Sequence, residues 1–185
     1  GVRILYGSLA CGVVKDGSRI THVIIENKSG RLAVAVKSVI DCTGDADICQ
    51  LSGAPTALHE GGNGLASWYY HIQDGKPRLK MFGLADIILD KKDVEESRKI
   101  SEAQDEYNAT QQWTIDESFR FSGVDGEELS RAVIAARSKM YDDIMENHAK
   151  DPSYLPVTTS SIPLVRMSRR LCGVYTEDDS ENKQY

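Results

Sequence analysis

The sequence predicts an α+β fold: an antiparallel β-meander, an irregular middle, a mostly helical segment and an arginine-bearing end. Three β-type runs at the start of the chain are separated by the turn sequences KDGS at 15–18 and NKSG at 27–30. Short turns of this composition join antiparallel strands. Farther along, apolar residues recur at helical spacing from 125 to about 150. We therefore expect a meander and one long helix as the main elements.

These patterns divide the chain into four expected segments. Residues 1–54 hold the meander and a Thr-Gly-Asp turn, and 55–121 form an irregular mixed region. Residues 122–151 form the long amphipathic helix, and 152–185 form an arginine-bearing strand and a polar tail.

The first segment is predicted to contain four strands. Residues 2–14 read as one strand with a bend at Gly7, and 20–26 follow the first turn. Residues 32–36 alternate between apolar and polar or small side chains, as in a strand with one solvated face. Val39 and Ile40 predict a fourth, more buried strand whose carboxyl end carries Thr43, Gly44 and Asp45.

The middle region gives weaker signals. Its expected elements are, in chain order, a flexible loop at 59–64, an aromatic strand at 66–72, a turn at 74–77, helical segments at 84–89 and 93–103, and strand-like runs at 112–115 and 119–121.

The long helix has both end signals. Asp125 is placed to cap it, Glu128 to complete a capping box, and Asp151 before Pro152 to end it. Six residues form an apolar stripe that we interpret as core: Leu129, Ala132, Val133, Ala136, Met140 and Ile144. After the helix, a β-type run at 160–165 precedes the arginines.

Composition excludes several classes of function. Lys plus Arg number 22 and Asp plus Glu 28, a net charge of −6, which argues against nucleic acid or an anionic membrane as a partner. No window has the apolar run that a membrane span requires. The chain begins directly in an alternating run without signal-peptide order, as an internal piece would. The four cysteines form no CxxC pair, which favours reduced thiols and a cytoplasmic location over disulfides or zinc.

The Thr-Gly-Asp turn, formed by Thr43, Gly44 and Asp45, is the first candidate site. Gly44 has no Cβ and a helix starts nearby, so the backbone can approach a ligand closely. Asp41, Asp45 and Asp47 make the local side-chain charge negative. That charge favours sugar hydroxyls, or a cation, over a bare phosphate.

An arginine cluster is the second candidate site. Arg166, Arg169 and Arg170 lie between two apolar runs of an acidic chain. Guanidinium groups offer paired donors to a carboxylate or phosphate, so the cluster predicts a bound anion. The alternative is structural pairing with nearby acids such as those at 177–179.

Motifs for catalysis are missing from the sequence. It has no G-x-S-x-G, H-E-x-x-H or G-x-x-x-x-G-K-[ST] pattern and no G-x-G-x-x-G dinucleotide fingerprint. The histidines are isolated, and we assign no catalytic residue and no metal site. Metal-assisted hydrolysis at the three aspartates is a poor alternative, because the rest of a calcium-type loop is missing.

Two stretches resemble a known family. The first runs GVRILYGSLACGVVKDGSRITHVIIENKSGR and then AVKSVIDCTGDADICQLSGAP, and the second is IPLVRMSRRLCGVYTEDD. Both are similar to the middle portion of FAD-dependent oxidoreductases with two dinucleotide-binding domains, relatives of the fumarate reductase flavoprotein. In that family the turn reads Ala-Thr-Gly-Asp-Gly-Asp, so Cys42 and Ala46 depart from it.

The resemblance implies an internal fragment of a flavoprotein. The strand at 39–40 would return to a FAD-binding Rossmann domain that these residues do not include. Thr43, Gly44 and Asp45 would lie by the FAD diphosphate and ribose, and Ala10 beside the adenine.

The arginines would then lie on the substrate side, with Arg166 contacting an anion of a small-molecule substrate. We expect the chain alone to be inactive and free of flavin. The alternative is a non-enzymatic interaction or sugar-binding module built on the same meander.

Overall fold

The computed structural model describes residues 1–83, 99, 119–166 and 168–174. The chain divides into two compact units, Gly1–Leu58 with Arg169–Tyr185, and His59–Ser168. In the part described, no helix has both the length and the apolar character needed to cross a membrane. The fold is α+β with antiparallel sheets, as predicted.

The meander of the first unit is confirmed. Strands β1 (Leu9–Asp16), β2 (Arg19–Asn27) and β3 (Gly30–Ala35) form one antiparallel sheet in that order. Asp16 pairs with Arg19 across the first turn, and Gly17 enters that turn at φ 59°. A side chain at such a φ is strained, so the glycine lets the chain reverse within two residues.

Two further elements complete the first unit. A short helix, α1 (Asp47–Ser52), follows the Thr-Gly-Asp turn. Strand β4 (Thr56–Leu58) pairs antiparallel with the late strand β10 (Arg169–Leu171). Through this pairing, Arg169 and Arg170 of the arginine cluster belong to the first unit.

One predicted strand of the first segment is wrong and another is too long, since only residues 9–14 of the strand expected at 2–14 belong to β1. Residues 2–6 and 39–40 have no strand structure, and Val2, Tyr6 and Ile40 are 90%, 90% and 87% exposed. A strand forms only where a neighbour accepts its backbone hydrogen bonds, and in the described ranges no strand pairs with these residues. The single solvated face expected for 32–36 is also wrong, because β3 is exposed at every residue.

The second unit is built on an aromatic strand, as predicted for 66–72. Strand β6 (Ser67–Gln73) lies between β7 (Lys76–Phe82) and β9 (Leu155–Thr159) in an antiparallel sheet. A second, two-stranded sheet pairs β5 (Asn63–Gly64) with β8 (Arg120–Phe121).

The long helix, α2 (Gly126–Lys150), confirms the prediction and corrects one detail of its cap. The Asp125 carboxylate accepts hydrogen bonds from the backbone N–H groups of Glu127 and Glu128 at 3.0 and 2.8 Å. Glu128 does not complete a capping box; its carboxylate accepts from the Ser122 N–H and hydroxyl at 2.9 and 2.7 Å. These bonds lower the pKa of Glu128, so the acid ties the incoming loop to the helix.

The predicted stripe of the helix is the core of the second unit. Ala132, Ala136 and Met140 are buried. They pack in two clusters, one with Leu65 and Phe121 and the other with Tyr69 and Tyr154. In the second cluster the Tyr69 hydroxyl donates to the Asp143 carboxylate and lies 2.5 Å from the Tyr154 hydroxyl. The hydroxyl groups of Tyr69 and Tyr154 thereby have hydrogen-bond partners.

Some predicted elements are misplaced or untested. The β-type run expected at 160–165 is not a strand; the strand is β9, and it ends at Thr159. The segments predicted at 84–89 and 112–115, and almost all of 93–103, lie outside the described residues.

Candidate functional site

A cleft of about 710 Å³ opens beside the Thr-Gly-Asp turn in the first unit. Its lining includes Asp41, Gly44, Ala46 and Cys49 from the turn and α1, and Arg169 and Arg170 from β10. The cleft thus joins parts of both candidate sites, although more than a hundred residues separate them in the sequence. All four cysteines of the chain are free thiols.

Asp41 organises the turn. One carboxylate oxygen accepts from the Thr43 N–H at 3.1 Å and hydroxyl at 2.8 Å, and the other accepts from the Cys49 N–H at 3.0 Å. Burial alone would raise the pKa of Asp41, but these hydrogen bonds outweigh it and lower the pKa to about 2. From the sequence, Asp41 is predicted only to add negative charge. Its spacing to Thr43, typical of an Asx turn, is the local signal of its structural role.

Thr43 and Asp41 accept hydrogen bonds from N–H groups in the first turn of α1. The Thr43 hydroxyl oxygen accepts from the Asp47 N–H at 2.9 Å, and Asp41 accepts from Cys49. The N–H groups of Asp47 and Cys49 are therefore already paired within the turn and the helix. Any ligand at this turn must be recognised by other groups.

The turn needs two residues with positive φ. Gly44 has φ 90°, and a Cβ built there would meet nothing within 4 Å, so its backbone is open to close approach. Ala46 has φ 52° and ψ 40°, a left-handed conformation. This is the position at which the resembling family has glycine, and the alanine is strained here.

We expect Ala46→Gly to raise the free energy of unfolding of the first unit by ~1 kcal/mol, because glycine adopts the left-handed conformation without steric cost. Urea denaturation measures the change. The matched control is Ala33→Gly in β3, where φ is not positive and the substitution should lower stability. Unchanged or lower stability for Ala46→Gly would contradict the conformation described for the turn.

Arg169 bonds to the far side of the turn. Its Nε donates to the Asp45 carbonyl oxygen at 2.8 Å, and its Nη2 donates to the Asp47 carboxylate at 2.5 Å. The alternative of structural pairing predicts an acidic partner for the arginines, and Arg169 has one in Asp47. The acids suggested for this pairing, at 177–179, lie outside the described residues.

The charge of the cleft differs from the charge expected for the turn. Of the charged side chains that line it, Asp41 is negative and Arg169 and Arg170 are positive. Asp47 is neutralised by its ion pair with Arg169. Arg169 and Arg170 therefore balance Asp47 and Asp41, and the cleft is less negative than the three aspartates alone would make it. Among the described residues, no group of three or more His, Cys, Asp or Glu side chains is placed to hold a metal ion.

The remaining predicted site residues lie elsewhere. Ala10 is on β1, opposite Ile25, and is not among the residues lining this cleft in the described part of the chain. Arg166 belongs to the second unit. Its side chain is exposed, and its backbone N–H donates to the Asn63 side-chain oxygen at 2.8 Å.

A family model described as FAD dependent oxidoreductase matches residues 1–179. The chain belongs to the FAD-dependent oxidoreductase family. This match covers both stretches that carried the resemblance and confirms it. FAD is accordingly the cofactor of the family. No curated protein and no solved structure matches the chain.

The cleft of this flavoprotein chain fits a phosphate-bearing cofactor in part. Gly44 leaves the backbone open on the turn, and two guanidinium groups line the same cleft. Backbone without a Cβ and a cationic side chain such as Arg170 are features that suit a diphosphate, whereas Nε and Nη2 of Arg169 already donate to Asp45 and Asp47. The fit is to one portion of FAD, since the chain has no glycine-rich G-x-G-x-x-G turn.

Proposed function

We propose that this chain is an internal segment of a FAD-dependent oxidoreductase, where it supplies part of the FAD-binding region and part of the substrate side. The observation that carries the proposal is the open Thr-Gly-Asp turn, with Gly44 at φ 90° beside a cleft lined by two arginines. The family match supports the same reading.

The proposed roles follow the geometry of the turn. Thr43, Gly44 and Asp45 lie at the FAD diphosphate and ribose, where Gly44 allows close backbone approach. Arg170, which lines the same cleft, offsets part of the negative charge of the diphosphate. Ala10, on β1, lies beside the adenine.

The substrate-side role falls to Arg166. Its exposed side chain is available to contact an anionic group of a small-molecule substrate. When bound, the flavin supplies the redox chemistry. The work of this chain is then to orient cofactor and substrate and to stabilise charge.

The isolated chain is proposed to be inactive and free of flavin. The turn and the cleft supply few of the hydrogen-bond donors that a dinucleotide needs. In dinucleotide-binding proteins, a glycine-rich strand-turn-helix supplies most of these donors.

Purified 185-residue chain should therefore be colourless, with no flavin released on denaturation, whereas full-length protein should be yellow with about one FAD per chain. The measurement is the absorbance near the flavin band before and after reconstitution with FAD. Stoichiometric flavin in the isolated chain would contradict the fragment role. A full-length protein that takes up no flavin would contradict the FAD-binding role itself.

A further inference from the structure

Arg169, in β10, hydrogen-bonds to the residues on both sides of Ala46. Its guanidinium binds the carbonyl oxygen of Asp45 at 2.8 Å and the carboxylate of Asp47 at 2.5 Å. Between these two residues lies Ala46, in the left-handed conformation. Both contacts are charge-assisted hydrogen bonds, the stronger class. They therefore oppose relaxation of the turn away from its strained form.

The guanidinium is itself held in place. Arg169 lies in β10 opposite Leu58 of β4, and the same pairing continues to the Cys172 N–H, which donates to the Pro55 carbonyl at 2.8 Å. The Arg169 side chain is only 15% exposed. A short strand pair thus carries the cation to the turn across 122 residues of sequence.

We propose that Arg169 is a positioning residue, which holds the Thr-Gly-Asp turn in the conformation that receives the cofactor by bonding Asp45 and Asp47. This inference rests on the proposed FAD-binding role of the turn. It replaces a substrate contact of Arg169, because the donors identified in the structure are directed at protein acceptors. The loss of Arg169 therefore acts on FAD through Asp47 and Asp45.

A double-mutant cycle in the full-length protein tests the inference. FAD is titrated into apoprotein and followed by flavin fluorescence, for Arg169→Ala, Asp47→Ala and the double variant. Each single change should weaken FAD binding roughly tenfold, and the double variant should be no weaker than the weaker single variant, because both remove the same restraint. At saturating FAD, the KM for substrate should stay at the wild-type value.

An exposed ion pair of the same unit provides the control. Arg31 and Glu26 lie 2.7 Å apart with side chains 67% and 51% exposed, so Arg31→Ala should leave FAD binding unchanged. Arg169→Lys covers the case in which the alanine variant does not fold. Lysine can pair with Asp47 but cannot reproduce the planar fork, so FAD binding should weaken by about threefold or more, again with unchanged KM.

The outcomes separate the inference from the proposed function. Multiplying effects in the double variant, or a raised KM at saturating FAD, would show that Arg169 contacts a ligand directly and would overturn the inference. Unchanged FAD binding in Arg169→Lys would also overturn it. Gly44→Val is the separate arm for the turn: if that variant binds FAD normally, the proposed function fails, whatever the cycle shows.

Discussion

Asn63→Leu is expected to destabilise the second unit by ~3–5 kcal/mol, because one buried backbone group loses its partner at ~1–3 kcal/mol and two part-buried groups lose theirs at ~1 kcal/mol each. Asn63 is fully buried. Its amide nitrogen donates to the carbonyl oxygens of Phe121 and Ser122 at 3.2 and 3.4 Å, and its oxygen accepts from the Arg166 N–H at 2.8 Å. One side chain thus joins β5, the segment after β8, and the loop that follows β9.

Urea denaturation of the chain, followed by far-UV circular dichroism, measures this loss. The control is Asn147→Leu on α2, where the amide nitrogen donates to Asp143, one turn earlier in the same helix. No backbone N–H or carbonyl of another segment depends on that contact, so we expect a change below ~1 kcal/mol. Equal losses for the two variants would show that Asn63 is not the brace described.

The elements that the sequence predicted well are those that local chemistry determines. The turns at 15–18 and 27–30 specify hairpins within a few residues of chain, and the meander follows from them. The α2 stripe is likewise a local pattern, since Ala132, Ala136 and Met140 share one face at helical spacing.

The elements that failed depend on partners outside the local sequence. Val39 and Ile40 have the composition of a buried strand, but strand structure requires a neighbour, and Ile40 is 87% exposed. Glu128 sits at capping-box spacing, yet its carboxylate bonds to Ser122 in the incoming loop. Periodicity and spacing do not specify from which of several donors a carboxylate accepts its hydrogen bonds.

The candidate site shows the same division. The positive φ of Gly44 was predictable, because a glycine in a turn between polar residues indicates a conformation that other residues rarely adopt. The pairing of Asp47 with Arg169 was not predictable, since the two residues lie 122 positions apart in the sequence. The left-handed conformation of Ala46 was also hidden, because alanine gives no local signal for a positive φ.

Gly44→Val is expected to lower FAD occupancy of the full-length protein at least about tenfold, since a β-branched residue at positive φ displaces the turn and places methyl groups where the backbone meets the cofactor. Within the chain itself a Cβ at Gly44 would meet nothing within 4 Å. The isolated chain should therefore still unfold cooperatively, with a loss limited to backbone strain of ~1–3 kcal/mol.

The most direct test of the proposed FAD-binding role of the turn compares Gly44→Val with Gly30→Val in the full-length protein. Gly30 lies in the β2–β3 hairpin at φ 100°, also with nothing within 4 Å of its Cβ position, so valine imposes a similar strain away from the cleft. The measurement is FAD bound per chain after purification and after reconstitution. We predict that Gly30→Val retains wild-type occupancy and Gly44→Val loses most of its flavin; equal occupancy in the two folded variants would contradict the placement of the cofactor at this turn.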